Sequence, residues 1–172
     1  MKISTVLLIG ALSTSMAAFG DDAISAKEFV KKAGEGGATE VEMGKLGAAK
    51  ATDPEVKAYA QKMVADHTKA NKELMAVAKA EGLEVPTEPG LMHKGMKEKL
   101  ERQKADGDFN EDFMEQMVKD HEKNVELFQR AANDTTLDPQ IRALAKKTLP
   151  TLEQHLADAR RLEAKLDKDA KE

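Results

Sequence analysis

The chain has 172 residues, 41% of them hydrophobic and 34% charged, long enough to enclose one core, and its five Phe and single Tyr are too few aromatics for a β-sandwich. Abundant Ala, Lys, Glu, Leu and Met favours helices, so the expected class is all-α. The lack of Cys excludes disulfides, thiolate metal sites, cysteine nucleophiles and a lipoprotein anchor, and a net charge of −4 without a basic cluster offers nucleic acid no footprint.

At the N-terminus Lys2 precedes an apolar run, Ile3 to Leu12, and a small-residue stretch, Ser13 to Gly20. This is the layout of a secretory signal peptide over residues 1–20, cleaved after Gly20 with Ala18 at the −3 position. A membrane span needs about 20 apolar residues, more than this run supplies. Cleavage removes Lys2 from the 27 basic residues and none of the 31 acidic ones, leaving a mature charge of −5. No later segment is apolar for long enough to span a bilayer. The expected product is an exported, periplasmic protein in which residues 21–172 form one helical domain.

Four long helices are predicted, near 24–52, 54–81, 109–132 and 139–167. The first carries Gly34, Gly36, Gly37, Gly44 and Gly47, each about 1 kcal/mol less favourable than Ala in a helix, which close approach of neighbouring backbones or side chains would offset. The second and fourth start at Asp53-Pro54 and Asp138-Pro139, an N-cap acid followed by Pro at the first helical position. DPEVKAYAQK and DPQIRALAKK, and likewise MVADHTK and MVKDHEK, are near repeats that suggest two related hairpins. Apolar residues recur at three- and four-residue spacing through each segment. Pro150 lies inside the fourth and is expected to kink it.

Between the second and third segments, Gly82 to Asp108 is too long for a plain loop, and Leu91 to Ala105 should form a short charged helix within it. Such a connection can return the chain along the whole length of a bundle. Helices two and three would then be parallel, giving a ferritin-like four-helix bundle with a long crossover. Up-down-up-down winding with a surface hairpin is the alternative.

Three of the four histidines, His67, His121 and His155, fall on seam positions near the middles of their helices, and Glu40 falls near the middle of the first. Helices of similar length place their midpoints at one level, so these four side chains are expected to converge within about one turn. Imidazoles and a carboxylate in one core layer suit a transition metal such as Cu, Zn, Fe or Mn. Glu42 or Asn124 would add a ligand or fix a His tautomer. Met43, Met63 and Met117 lie one turn to one side of that level and read either as thioethers favouring copper or as core packing. The competing reading is a polar core, with each His hydrogen-bonded to Glu40, Asn71, Asn124 or water. Asp66, Asp120 and Glu153 are rotated off the His face and are expected in surface pairs or contacts with neighbouring helices. His93, in the crossover, is expected at the surface.

FVKKAGEGGATEVEMGKL, VKAYAQKMVADHTKANKEL and LPTLEQHLADA, following a signal peptide, resemble the exported bacterial family known as Domain of Unknown Function 4142. The likeness runs from about Ala26 to Leu162. It implies a ferritin-like fold and an exported location, and no established reaction. The outer-membrane label that members often carry fits poorly, since there is no barrel-like alternation. Val64, Val118 and Leu152 stand three residues before the seam histidines, where a di-iron carboxylate bundle would place Glu. No nucleophile–base pair or cofactor fingerprint supports catalysis. Two function classes follow. One is a metal-binding bundle using Glu40, His67, His121 and His155. The other is a stress-related or structural bundle that works through a protein partner, its histidines forming only a hydrogen-bond network.

Overall fold

A computed structural model describes residues 23–169 and 171, so the signal-peptide reading of residues 1–20 lies outside the described residues. The described residues form five helices and no strand: α1 (Ala26–Lys50), α2 (Pro54–Ala80), α3 (Leu91–Arg102), α4 (Gly107–Asn133) and α5 (Pro139–Asp169). The expected boundaries agree to within about two residues, and the short helix is present in the connection between α2 and α4.

Local chemistry sets where the helices begin. Asp53 accepts hydrogen bonds from the Glu55 and Val56 amides, with Pro54 at the start of α2, and Asp138 accepts one from the Gln140 amide beside Pro139. Ser25 caps α1 through the Glu28 amide and Asp106 caps α4 through the Phe109 amide. α5 is continuous through Pro150. At the other end of the connection, the Lys50 ammonium donates to the carbonyls of Leu100, Glu101 and Gln103, satisfying the open C-terminus of α3 and pinning it to α1.

The glycines of α1 do what their helix penalty requires. A Cβ at Gly47 would lie 2.5 Å from the Phe113 ring and 2.9 Å from the Ala60 Cβ, and one at Gly44 would lie 2.9 Å from the Ala60 carbonyl oxygen. α1 therefore sits closer to α2 and α4 than any larger residue allows.

Side-chain contacts give the directions of packing. Gly44 meets Ala60 while Gly37 meets Asn71, so α1 and α2 are antiparallel. Gly47 meets Phe113 while Phe29 stacks edge-on against Phe128, so α1 and α4 are antiparallel too. Ion pairs Lys165–Asp53 and Lys147–Glu73 align α5 antiparallel to α2, and Arg160–Glu122 with Gln129–Glu153 does so for α4. It follows that α2 and α4 run the same way.

The buried core divides in two. One apolar cluster gathers Met43, Tyr59, Met63, Phe113, Met117 and Leu162 among others, and a second gathers Phe29, Leu74, Phe128, Ile141 and Leu152. In all four long helices the switch from one cluster to the other falls at the same level. Glu40, His67, His121 and His155 occupy that level.

Candidate metal centre

His67 on α2, His121 on α4 and His155 on α5 are 4%, 0% and 0% exposed. Their ring centroids stand 5.5 Å (67–121), 5.3 Å (67–155) and 5.4 Å (121–155) apart, a nearly equilateral triangle. One ligand nitrogen from each ring lies within 4.8 Å of the others, and this is the one such group among the described residues.

Two of the rings are oriented from behind. His121 Nδ1 lies 2.9 Å from the Met117 carbonyl oxygen, which can only accept, so Nδ1 carries the proton. His155 Nε2 lies 2.9 Å from Asp66 Oδ2 and donates to it. These bonds leave His121 Nε2 and His155 Nδ1 as lone-pair nitrogens, and both are buried without a partner, as is His67 Nε2. An unsatisfied buried polar group costs about 1–3 kcal/mol, so three at one point form an expensive arrangement for a purely structural core. Backing by a carbonyl or carboxylate is the arrangement that fixes the tautomer of a metal-ligating imidazole.

Burial keeps the rings in the ligand form. It pushes the His67 pKa well below its ordinary value, helped by repulsion from His121 and His155. At His121 burial outweighs the Met117 carbonyl and lowers the pKa to about 4. At His155 burial likewise outweighs the Asp66 carboxylate. The same partial burial pushes the Asp66 carboxyl up, but hydrogen bonds from His155 and Lys62 overcome it and hold the group below the usual carboxylate range. A histidine depressed in the folded state binds its proton more readily when unfolded, so stability is complete above about pH 6.5 and declines as pH falls from there through the folded-state values. The contribution of His121 should accordingly appear as a difference: as pH falls from about 6.5 to 4, His121→Leu should lose less stability to urea denaturation than the parent does.

Glu40 is fully buried at the same level but stands on the far side of His121, its Oε1 3.7 Å from Nδ1, outside the group of converging nitrogens. It accepts a hydrogen bond from Asn124, while Oε2 has no partner. Burial, then the charge of Asp120, raises its pKa well above the carboxylate range. Asn124 and Asn71 lie one turn beyond the histidines, and the Gly36–Gly37 pair admits them: a Cβ at Gly36 would lie 2.9 Å from Asn124 Oδ1, and one at Gly37 would run into the Asn71 amide. Glu42 instead faces Lys45 and Lys97 at the surface, away from the centre. Met43, Met63 and Met117 are buried in the first apolar cluster.

Of the two alternatives for Asp120, a surface pair and a contact with a neighbouring helix, the second holds, and the expectation for His93 is corrected. Asp120 is not in a surface pair: it is 4% exposed, and both carboxylate oxygens lack a hydrogen-bond donor. His93 is not a free surface residue, since α3 turns it inward until Nε2 lies 3.5 Å from Asp120 Oδ1. Asp66, one position before His67, reaches across to α5 because a rotation of about 100° directs it at the neighbouring helix. That contact is of the anticipated kind, but its target, a histidine of the cluster, was not visible without the α2–α5 register.

A family profile described as a domain of unknown function, DUF4142, matches residues 11–162. No curated protein and no solved structure matched the chain.

Proposed function

We propose that the chain, which belongs to the DUF4142 family, is an exported ferritin-like four-helix bundle that holds one transition-metal ion with His67, His121 and His155. The observation that carries this reading is the set of three buried ring nitrogens without partners, two of them on rings whose other nitrogen is already held. Hydrogen bonds within the chain leave those three nitrogens unsatisfied, and a single cation would satisfy all of them together. Bound at about 2.0–2.1 Å, a tetrahedral ion separates its nitrogens by about 3.4 Å, so small ring movements close the site. Three nitrogens leave a fourth position for another donor. Glu40 sits behind His121 as a neighbouring carboxylate.

The antiparallel pairs α1/α2 and α4/α5, the parallel course of α2 and α4, and the long connection containing α3 support the ferritin-like arrangement. The N-terminal apolar segment supports export to a periplasm. No described helix is long and apolar enough to cross a membrane.

Mature protein prepared without chelators and titrated with Zn²⁺, Cu⁺, Fe²⁺ and Mn²⁺ should saturate at one ion per chain with at least one of them, and His67→Ala should not. A parent chain that saturates with none of these ions overturns the proposal and leaves the histidines as core polar groups. Asp66→Ala provides a graded check. Loss of the acceptor behind His155 should weaken metal affinity by about 10–100-fold while leaving the stoichiometry at one.

A further inference from the structure

A cavity of about 320 Å³ lies between α1, α3 and α4, and none of the three converging histidines lines it. Its polar walls are Asp120 and Asn124 on α4, Glu40 on α1 and His93 on α3. Leu127 and Thr39, whose hydroxyl already donates to the Glu35 carbonyl, add apolar surface. Asp120 is 4% exposed, and neither of its carboxylate oxygens accepts a hydrogen bond. His93 Nε2 stands 3.5 Å from Asp120 Oδ1 without bonding to it. Glu40 Oε2 is likewise buried and without a partner. A buried carboxylate so poorly satisfied calls for donors from outside the chain.

The surroundings narrow what those donors belong to. The atoms lacking partners on Asp120 are acceptors, so the complementary group is a donor, and positive charge matches the carboxylate. These oxygens do not form the cage of a bare metal ion. Among the described residues, the three histidines are the one group of His, Asp or Glu side chains whose ligand atoms converge within 4.8 Å. The volume is instead that of a small-molecule pocket. At the mouth, Lys32 is held by Glu28 at 2.7 Å, while Glu35 and Glu126 oppose Lys123 and Arg130. Charge at the entrance therefore nearly cancels, and the buried carboxylate decides which ligand is attracted.

We propose that this cavity binds a small primary amine, its ammonium group donating to Asp120 and its carbon chain lying along Leu127 and Thr39. The proposal is independent of the metal-binding reading, and metal-free mature protein serves to test it. With n-butylamine as the probe near neutral pH, NMR shifts should concentrate at Thr39, His93, Asn124 and Leu127. They should saturate with a Kd of about 1 mM or tighter. n-Butanol, the uncharged counterpart, should cause no such shifts at equal concentration. Asp120→Asn keeps the shape of the side chain and removes its charge. It should weaken binding by about 10–100-fold, the order of a lost charge-assisted hydrogen bond. His67→Ala, outside the cavity, should bind the amine as the parent does.

The shift map and the n-butanol comparison are made on the parent, so they decide the matter even where Asp120→Asn fails to fold. Absence of shifts at the cavity residues overturns the proposal and leaves a cavity that holds only water. Equal shifts with n-butanol, or unchanged affinity in Asp120→Asn, overturn it as well. Displacement of the amine by an equal concentration of Ca²⁺ does the same, since the carboxylates would then belong to an inorganic cation.

Discussion

Zn²⁺ in excess is expected to raise the melting temperature of the parent protein and to leave that of His121→Ala where it was. A ligand that binds only the folded state stabilises it by about 2.7 kcal/mol at a free concentration a hundredfold above Kd. For a domain of this size that is an upward shift of roughly 5–10 °C. His121 is the most telling position, because its side chain is fully buried and its Nδ1 is held by the Met117 carbonyl, so the free Nε2 has a fixed direction. The variant will start from a lower melting temperature, since a large buried side chain has been removed. The comparison is therefore the shift within each protein, read by calorimetry with and without metal. An equal shift in both would mean that Zn²⁺ binds elsewhere.

The second large effect runs against helix propensity. Gly47→Ala in a helix interior should gain about 1 kcal/mol from propensity alone. Here the added methyl meets the Phe113 ring at 2.5 Å and the Ala60 Cβ at 2.9 Å, and Phe113 is fully buried among core residues. Overpacking of this kind costs about 1–3 kcal/mol, so the net change should be destabilising and should show as a lower urea midpoint. Gly95, where a Cβ would meet nothing within 4 Å, is the control: Gly95→Ala in α3 should be neutral or stabilising. If Gly47→Ala raises the midpoint as Gly95→Ala does, the close packing of α1 is not what holds its glycines in place.

The helical class and the level of the histidines were readable because each rests on short-range patterns. N-cap acids before Pro54 and Pro139 mark where helices begin, and residues three and four apart mark which face is buried. From starts and lengths the midpoints follow, and with them the meeting of His67, His121 and His155. What could not be read was how far around its helix each neighbour points relative to a helix elsewhere in the chain. Asp66 backs His155 and Glu40 falls behind His121 because of the rotation of α2 against α5 and of α1 against α4, which spacing along one helix does not contain. His93 was misassigned for the same reason, and the partner of Asp120 stayed hidden, since α3 covers one side of α4 and its docking depends on Leu100, fully buried, and on Lys50 reaching carbonyls of Leu100, Glu101 and Gln103. The glycines of α1 look like helix weaknesses in isolation, and their use emerges only against Phe113, Ala60 and Asn124.

The polar layer between the two apolar clusters has a consequence for motion. Each half of the bundle has its own cluster of buried side chains, and between them the metal-free chain offers an interior rich in unsatisfied nitrogen and oxygen atoms. Opening one half therefore leaves the contacts of the other largely intact, so amide hydrogen exchange in the free protein should divide into two blocks with separate opening free energies. An ion gripped from α2, α4 and α5 at the dividing level ties helices that thread both blocks. Exchange of the two would then merge toward a single slow class.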